Sequence, residues 1–206
     1  MGMTRLSKDP YNIVVAGVGG QGNVMASRIL SDMLVRNGYS VTIGETFGAS
    51  QRGGSVMSHI RVSAESAWSP QIPKGRADLV VSLEPAEAIR VLIRYGNPKV
   101  TVLTNTRPIH PVGVIAGELD YPSLEEIKVS VRELSAIAWF IDATDEAITL
   151  GNPLLGNIIM IGAASRVVSL SLERKDFKKV ISKSLPGDNL DINLRAFDIG
   201  VSMIGQ

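Results

Sequence analysis

Two short glycine-rich stretches carry the residue types that could meet a charged ligand. The first, GVGGQG (residues 17–22), places four glycines in six positions directly after the apolar run IVVA. Gly17, Gly19 and Gly22 match the G-x-G-x-x-G spacing by which a strand–turn–helix unit approaches a dinucleotide pyrophosphate. Gly20 adds a further position without a side chain, and Gln21 adds an amide. The second stretch, GASQRGG (residues 48–54), sets Ser50, Gln51 and Arg52 among Gly48, Gly53 and Gly54. The planar fork of Arg52 suits a carboxylate or a phosphate, and Ser50 and Gln51 are further donors.

Three readings of the first stretch stand open on the residues alone. It is a dinucleotide cradle, with Glu45 near the end of the next strand as the ribose-binding acid. It is an anion site of another kind at a helix N-terminus. Or it is a tight turn whose glycines permit close helix–strand packing. The second stretch has a plain alternative as well, an exposed hairpin loop. Against the dinucleotide reading, the chain passes from Ile43 through GETFGASQRGGS straight into another strand, with no room for a second helix.

The elements that must position these loops follow from periodicity. Tyr11 to Ala16 reads as a buried parallel strand. Ala26, Ile29, Leu30, Met33 and Leu34 mark one face of a helix opening at Asn23, which Asn37-Gly38 stops. Tyr39 to Ile43 reads as the second strand. Val56, Ser58, Ile60 and Val62 alternate with Met57, His59 and Arg61, which predicts a strand with one wet face. His59 is then expected to be solvated or hydrogen-bonded, and His110, between prolines, to lie in a loop. Further strands are expected at Asp78–Leu83, Val100–Leu103 and Trp139–Asp142, with a short one at Val112–Ala116. Helices are expected at Glu84–Arg94, from a Ser123/Glu126 capping box toward Leu134, at Asn157–Leu170, Leu172–Leu185 and Leu190–Ile204. The apolar run 158–164 reads as core. Arg174, Lys175, Lys178 and Lys179 read as a solvated helix face. The fold class expected is α/β: three layers, α/β/α, with a mostly parallel, Rossmann-like sheet and a β-hairpin-like departure after the second strand. One domain, residues 1–206, is expected.

Composition narrows the chemistry. The 206 residues carry 21 Lys+Arg against 20 Asp+Glu, which predicts no nucleic-acid-binding stripe. No apolar leader is visible at the start, and no run approaches the roughly 20 apolar residues of a membrane span. A cytoplasmic protein with no membrane partner is therefore expected. There is no cysteine, hence no disulfide, no thiolate nucleophile and no cluster ligand. With only two histidines, a multi-histidine metal site is not expected, and no metal ligand or catalytic residue is assigned.

Taken together, GVGGQG with Ala26 and Leu30 following, ETFGASQRGGSV, DLVVSLEPAEAIR, GNPLLGNIIMIGA and NLRAFDIG resemble the gamma-type component of the 2-oxoacid:ferredoxin oxidoreductases. The resemblance runs from Asn12 to about Ile204, and its nearest variant acts on indolepyruvate. Residues 64 to 76 match no clear signature of that family. The resemblance implies a subunit, inactive alone, of a complex that converts a 2-oxoacid and coenzyme A to acyl-CoA and CO2 and reduces ferredoxin. It implies a large partner subunit carrying thiamine diphosphate, magnesium and iron–sulfur clusters, with no cofactor on this chain. Gly17, Gly19, Gly20, Gln21, Gly22, Ser50, Gln51, Arg52, Gly53 and Gly54 are the cofactor- or cleft-facing candidates. Gln51 and Arg52 are expected to orient the substrate carboxylate or a coenzyme A phosphate. The competing classes are an NAD-binding oxidoreductase and a non-catalytic nucleotide-binding scaffold.

Overall fold

The computed structural model describes residues 6–48, 54–183 and 188–205. Six strands form one sheet in the order β2-β3-β1-β4-β5-β6. These are β1 (Tyr11–Val18), β2 (Ser40–Phe47), β3 (Ser55–Ser63), β4 (Leu79–Ser82), β5 (Thr101–Asn105) and β6 (Ile137–Ile141). The pairs β1–β4, β4–β5 and β5–β6 are parallel. Only β3 runs against the rest, antiparallel to both β1 and β2.

The central strands read as unbroken apolar runs because both faces are covered. On one face Ile13, Val15, Ile60, Leu79, Val81 and Leu103 share a core with helices α1 (Asn23–Arg36), α5 (Ala143–Thr149), α6 (Gly156–Val167), α7 (Arg174–Ile181) and α8 (Asp188–Ser202). On the other, Val14, Ala16, Val80 and Val102 pack on α2 (Pro85–Tyr95) and α4 (Leu124–Glu133). A single-turn helix, α3 (Val112–Ile115), precedes α4. The three-layer α/β/α arrangement and the hairpin after the second strand are as expected.

The hairpin has a larger consequence than the sequence suggests. It folds β3 into the slot beside β1, which the second strand of a dinucleotide-binding sheet would take. Strand β3 is thus central and has no wet face: Ser58, His59, Arg61 and Ser63 are all buried. His59 is 1% exposed, edge-on to Tyr95 at 5.0 Å, with neither ring nitrogen hydrogen-bonded among the described residues. The expectation of a solvated or hydrogen-bonded His59 is therefore corrected. Arg61 donates to Asn12 Oδ1 (3.1 Å) and the Ser69 carbonyl (3.1 Å), and lies 5.0 Å over the Trp68 ring. It anchors the stretch 64–76 over the sheet, which accounts for the cover on that face.

Two further expectations change. Val112–Ala116 is not a strand: Pro111 starts a helical turn that buries none of its residues. Helix α5 was not anticipated, because its inward residues are Ala143 and Ala147, too small to give an apolar period. The capping box of α4 is present: the Glu126 N–H donates to Ser123 Oγ (3.3 Å) and the Ser123 N–H to Glu126 Oε2 (2.8 Å). The run 158–164 is core, and Arg174, Lys175, Lys178 and Lys179 are exposed on α7. No helix among the described residues is long and apolar enough to cross a membrane.

Candidate functional site

The chain leaves β1 into α1 on one face of the sheet and leaves β4 into α2 on the other. In open α/β sheets that divergence opens a crevice at the carboxyl ends of the strands. A crevice of about 260 Å³ lies there, lined by Gly20 and Gln21 after β1, Leu83 after β4, Asn105 and Arg107 at the end of β5, and Asn157 on α6.

Its floor is built from amides that tie the strand ends together. Gln21 Oε1 accepts the Val18 N–H (2.8 Å), and Gln21 Nε2 donates to the Leu83 carbonyl (2.8 Å), bridging β1 and β4. Asn105 Nδ2 donates to the same carbonyl (3.1 Å) and to Thr144 Oγ1 (2.9 Å), bridging β4, β5 and α5. At the rim Arg107 pairs with Asp145 at 2.8 Å, both half-exposed. Apolar side chains of Ile109, Leu154 and Met160 complete the walls. Amides, a hydroxyl and one guanidinium can bind and orient a polar group. None of them is suited to carry a proton near neutral pH.

The glycines of the turn differ from one another. Gly20 (φ +103°) faces open space among the described residues, with none of their heavy atoms within 4 Å of a would-be Cβ. Gly22 (φ +83°) is closed over by Asn157, whose Nδ2 would lie 2.3 Å from a Cβ. Gly17 is covered by the amides of Asn23 and Gln21, at 2.5 and 2.6 Å. The Gly19 N–H donates to the Gly54 carbonyl at 2.9 Å, joining the turn to the end of the second glycine-rich stretch. Gly20 and Gln21 therefore line the crevice, while Gly17, Gly19, Gly22 and Gly54 are packed or bonded beside it. Ser50, Gln51, Arg52 and Gly53 lie outside the described residues. Glu45 stands on β2, two strands from β1, beside Arg28 at 3.6 Å. The slot next to β1, from which a ribose-binding acid would reach a dinucleotide at the turn, is taken by β3.

Asn105, Thr144 and Asn157 line the crevice without having been singled out in the sequence. A polar residue at the carboxyl end of a buried strand is the available signal for Asn105. Asn157 reaches the site only through tertiary packing.

The family model described as pyruvate ferredoxin/flavodoxin oxidoreductase matches residues 12–203, nearly the whole chain. The chain belongs to that family. It is 41% identical over 192 residues to a protein of Thermococcus kodakarensis named indolepyruvate oxidoreductase subunit IorB, covering 93% of this chain and 94% of the relative. The IorB of Pyrococcus horikoshii is 42% identical over the same shares. In fold it matches the pyruvate oxidoreductase subunit PORC of Thermotoga maritima, with a TM-score of 0.71 at 21% identity, over 95% of this chain and 97% of that one. It also matches 31% of a longer chain, the 2-oxoglutarate:ferredoxin oxidoreductase of Magnetococcus marinus solved with 2-oxoglutarate, coenzyme A and succinyl-CoA, with a TM-score of 0.72 at 21% identity over 96% of this chain.

Membership raises the question of which cofactors this chain can hold. Iron–sulfur clusters are held by cysteine thiolates, and the chain has none. Among the described residues no group of three or more His, Asp or Glu side chains could hold a metal ion. The residues of this chain therefore do not fit an iron–sulfur cluster.

Proposed function

We propose that this chain is the cofactor-free, gamma-type subunit of an indolepyruvate or related arylpyruvate:ferredoxin oxidoreductase, yielding acyl-CoA, CO2 and reduced ferredoxin. The observation that carries the reading is the identity of 41–42% to subunits named for indolepyruvate, spanning nearly all of both chains. Identity to a 2-oxoglutarate synthase subunit of Archaeoglobus fulgidus is 27%. Thiamine diphosphate, its magnesium and the clusters are assigned to a large partner subunit, which the lack of any cysteine on this chain supports for the clusters. Ferredoxin is reduced through the complex, and the assembly is cytoplasmic.

Within this reading the chain positions and encloses. The amide floor of Gln21 and Asn105 shapes one wall of the shared active-site cleft. Gln51 and Arg52 orient the substrate carboxylate or a coenzyme A phosphate. The exposed Val112, Ile115 and Leu119 around α3 supply apolar surface for the partner. NAD has no support beyond the glycine spacing, because Gly19 is bonded to Gly54 and Glu45 lies on the wrong strand.

Reconstitution tests the proposal. The chain and its partner, purified together, are assayed for coenzyme A-dependent ferredoxin reduction with indolepyruvate, phenylpyruvate, pyruvate and 2-oxoglutarate. The arylpyruvates should give the highest kcat/KM, and either subunit alone should give none. An assembled complex that reduces ferredoxin with no 2-oxoacid would overturn the reading.

A further inference from the structure

Helix α2 opens with two carboxylates that the fold buries almost completely. Glu84 is 2% exposed and Glu87 is 5% exposed. Burying a carboxylate is costly unless hydrogen bonds compensate, and a short Ser or Asp would cap the helix as well. What the longer side chains add is reach. Glu84 Oε2 caps the helix on the Glu87 N–H at 2.9 Å. Its Oε1 accepts the Ile109 N–H at 3.3 Å and the Tyr121 hydroxyl. Burial first, and then the bond to Glu84, pushes the Tyr121 phenol up, so it is a donor at neutral pH. Glu84 thereby holds both ends of the stretch around α3, and Ile109 itself lines the crevice.

Glu87 reaches the other way. Its Oε2 accepts the Ser55 hydroxyl at 2.5 Å, and its Oε1 lies 3.4 Å from Arg90 Nε. Ser55 follows Gly54, whose carbonyl takes the Gly19 N–H, and the Ser55 carbonyl takes the Gly48 N–H at 2.8 Å. The base of the GASQRGG stretch is thus fixed to the glycine turn, to β2 and to α2 at once.

We propose that Glu84 and Glu87 are positioning residues for the reaction: from one helix end Glu87 fixes Ser55 and, through its neighbour Gly54, the glycine turn that lines the crevice, while Glu84 fixes the segment between Ile109 and Tyr121. Neither carboxylate touches a reacting atom. The inference rests on the functional reading above, in which those segments border the shared cleft.

The test uses the assembled complex carrying Ser55→Ala, Ser55→Thr, Glu87→Ala, Glu87→Gln, the Ser55→Ala/Glu87→Ala double variant, or Tyr121→Phe. Displacements near 1 Å can cost up to a hundredfold in rate. Ser55→Ala and Glu87→Ala should each lower kcat/KM for 2-oxoacid and coenzyme A by about tenfold or more, with KM for ferredoxin unchanged. The double variant should be no worse than either single one. Ser55→Thr, which keeps the hydroxyl, and Glu87→Gln, which keeps an acceptor, should recover most of the activity. Tyr121→Phe should lower kcat/KM several-fold. If Glu87→Ala does not fold, Ser55→Ala and Tyr121→Phe decide alone. Variants that assemble and keep kcat/KM within twofold of an active wild type overturn the positioning role and leave the functional reading intact. A wild-type complex inactive on every 2-oxoacid overturns that reading and the inference with it.

Discussion

Glycine does different work in two regions of this molecule. Where α6 crosses α8, a Cβ on Gly162 would lie 2.1 Å from the Phe197 carbonyl oxygen, and one on Gly200 would lie 1.9 Å from that of Ile159. Backbone meets backbone there, and nothing can give way short of the helices separating. In the turn after β1, among the described residues, the atoms over Gly17 and Gly22 are side-chain amides, and over Gly20 there is open space. The α6–α8 glycines are a packing device in the core. The turn glycines bend the chain so that one face is filled by Gln21, Asn23 and Asn157 and the other opens on the crevice. A glycine motif is therefore not one signal, and the atom opposite each missing Cβ tells the uses apart.

The largest expected effect is at the helix crossing. Gly200→Ala should destabilise the chain by at least about 3 kcal/mol, lowering Tm by roughly 6–12 °C for a chain of this size. Thermal unfolding followed by circular dichroism measures this. A loss below about 1 kcal/mol would show that the crossing is not close-packed in solution. In the turn the effects should be graded. Gly22→Ala must adopt φ +83° and displace Asn157, at about 2 kcal/mol. Gly20→Ala has room and bears only the conformational strain, at about 1 kcal/mol. An inverted order in denaturant titrations would break the distinction drawn between them.

A smaller effect comes from His59, a buried histidine with no hydrogen-bond partner among the described residues. Burial first, and then the charge of Arg94, holds its pKa below 6.5. The unfolded chain therefore takes up a proton before the folded one does. Stability contributed by neutral His59 is present above pH 6.5 and is lost as pH falls from 6.5 through the lowered folded value. The slope approaches 1.36 kcal/mol per pH unit for one proton. It should be absent in His59→Leu, measured by urea unfolding across that window. Equal slopes in both proteins would place the titration elsewhere.

Much of the architecture was legible because it is local. The glycine turn, α1 with its Asn37-Gly38 stop and the Ser123/Glu126 box all follow from residues within a few positions of one another. The insertion of β3 between β1 and β2 was not legible, since alternation along β3 says nothing about which strands flank it. For that reason Met57, His59 and Arg61 suggested a wet face that the stretch 64–76 and Tyr95 in fact cover. The apolar run Val112–Ala116 suggests a strand, but Pro111 starts a helical turn there, and among the described residues no strand lies beside it. At the site, Gly20 and Gln21 were readable as a motif. Asn105, Thr144 and the Glu84–Tyr121 and Glu87–Ser55 contacts were not, because each joins residues distant in sequence and only the folded sheet edge brings them together.

In the proposed function this chain completes an active site that it does not carry alone, and Arg52 is the residue through which that proposal is tested most directly. In the complex assembled with its partner, Arg52→Ala should lower kcat/KM for 2-oxoacid or coenzyme A by roughly ten- to a hundredfold. That matches loss of a charge-assisted contact worth about 1.5–3 kcal/mol. The Tm of the chain and its affinity for the partner should stay unchanged. Unaltered kcat/KM for both substrates, with assembly intact, would contradict the claim.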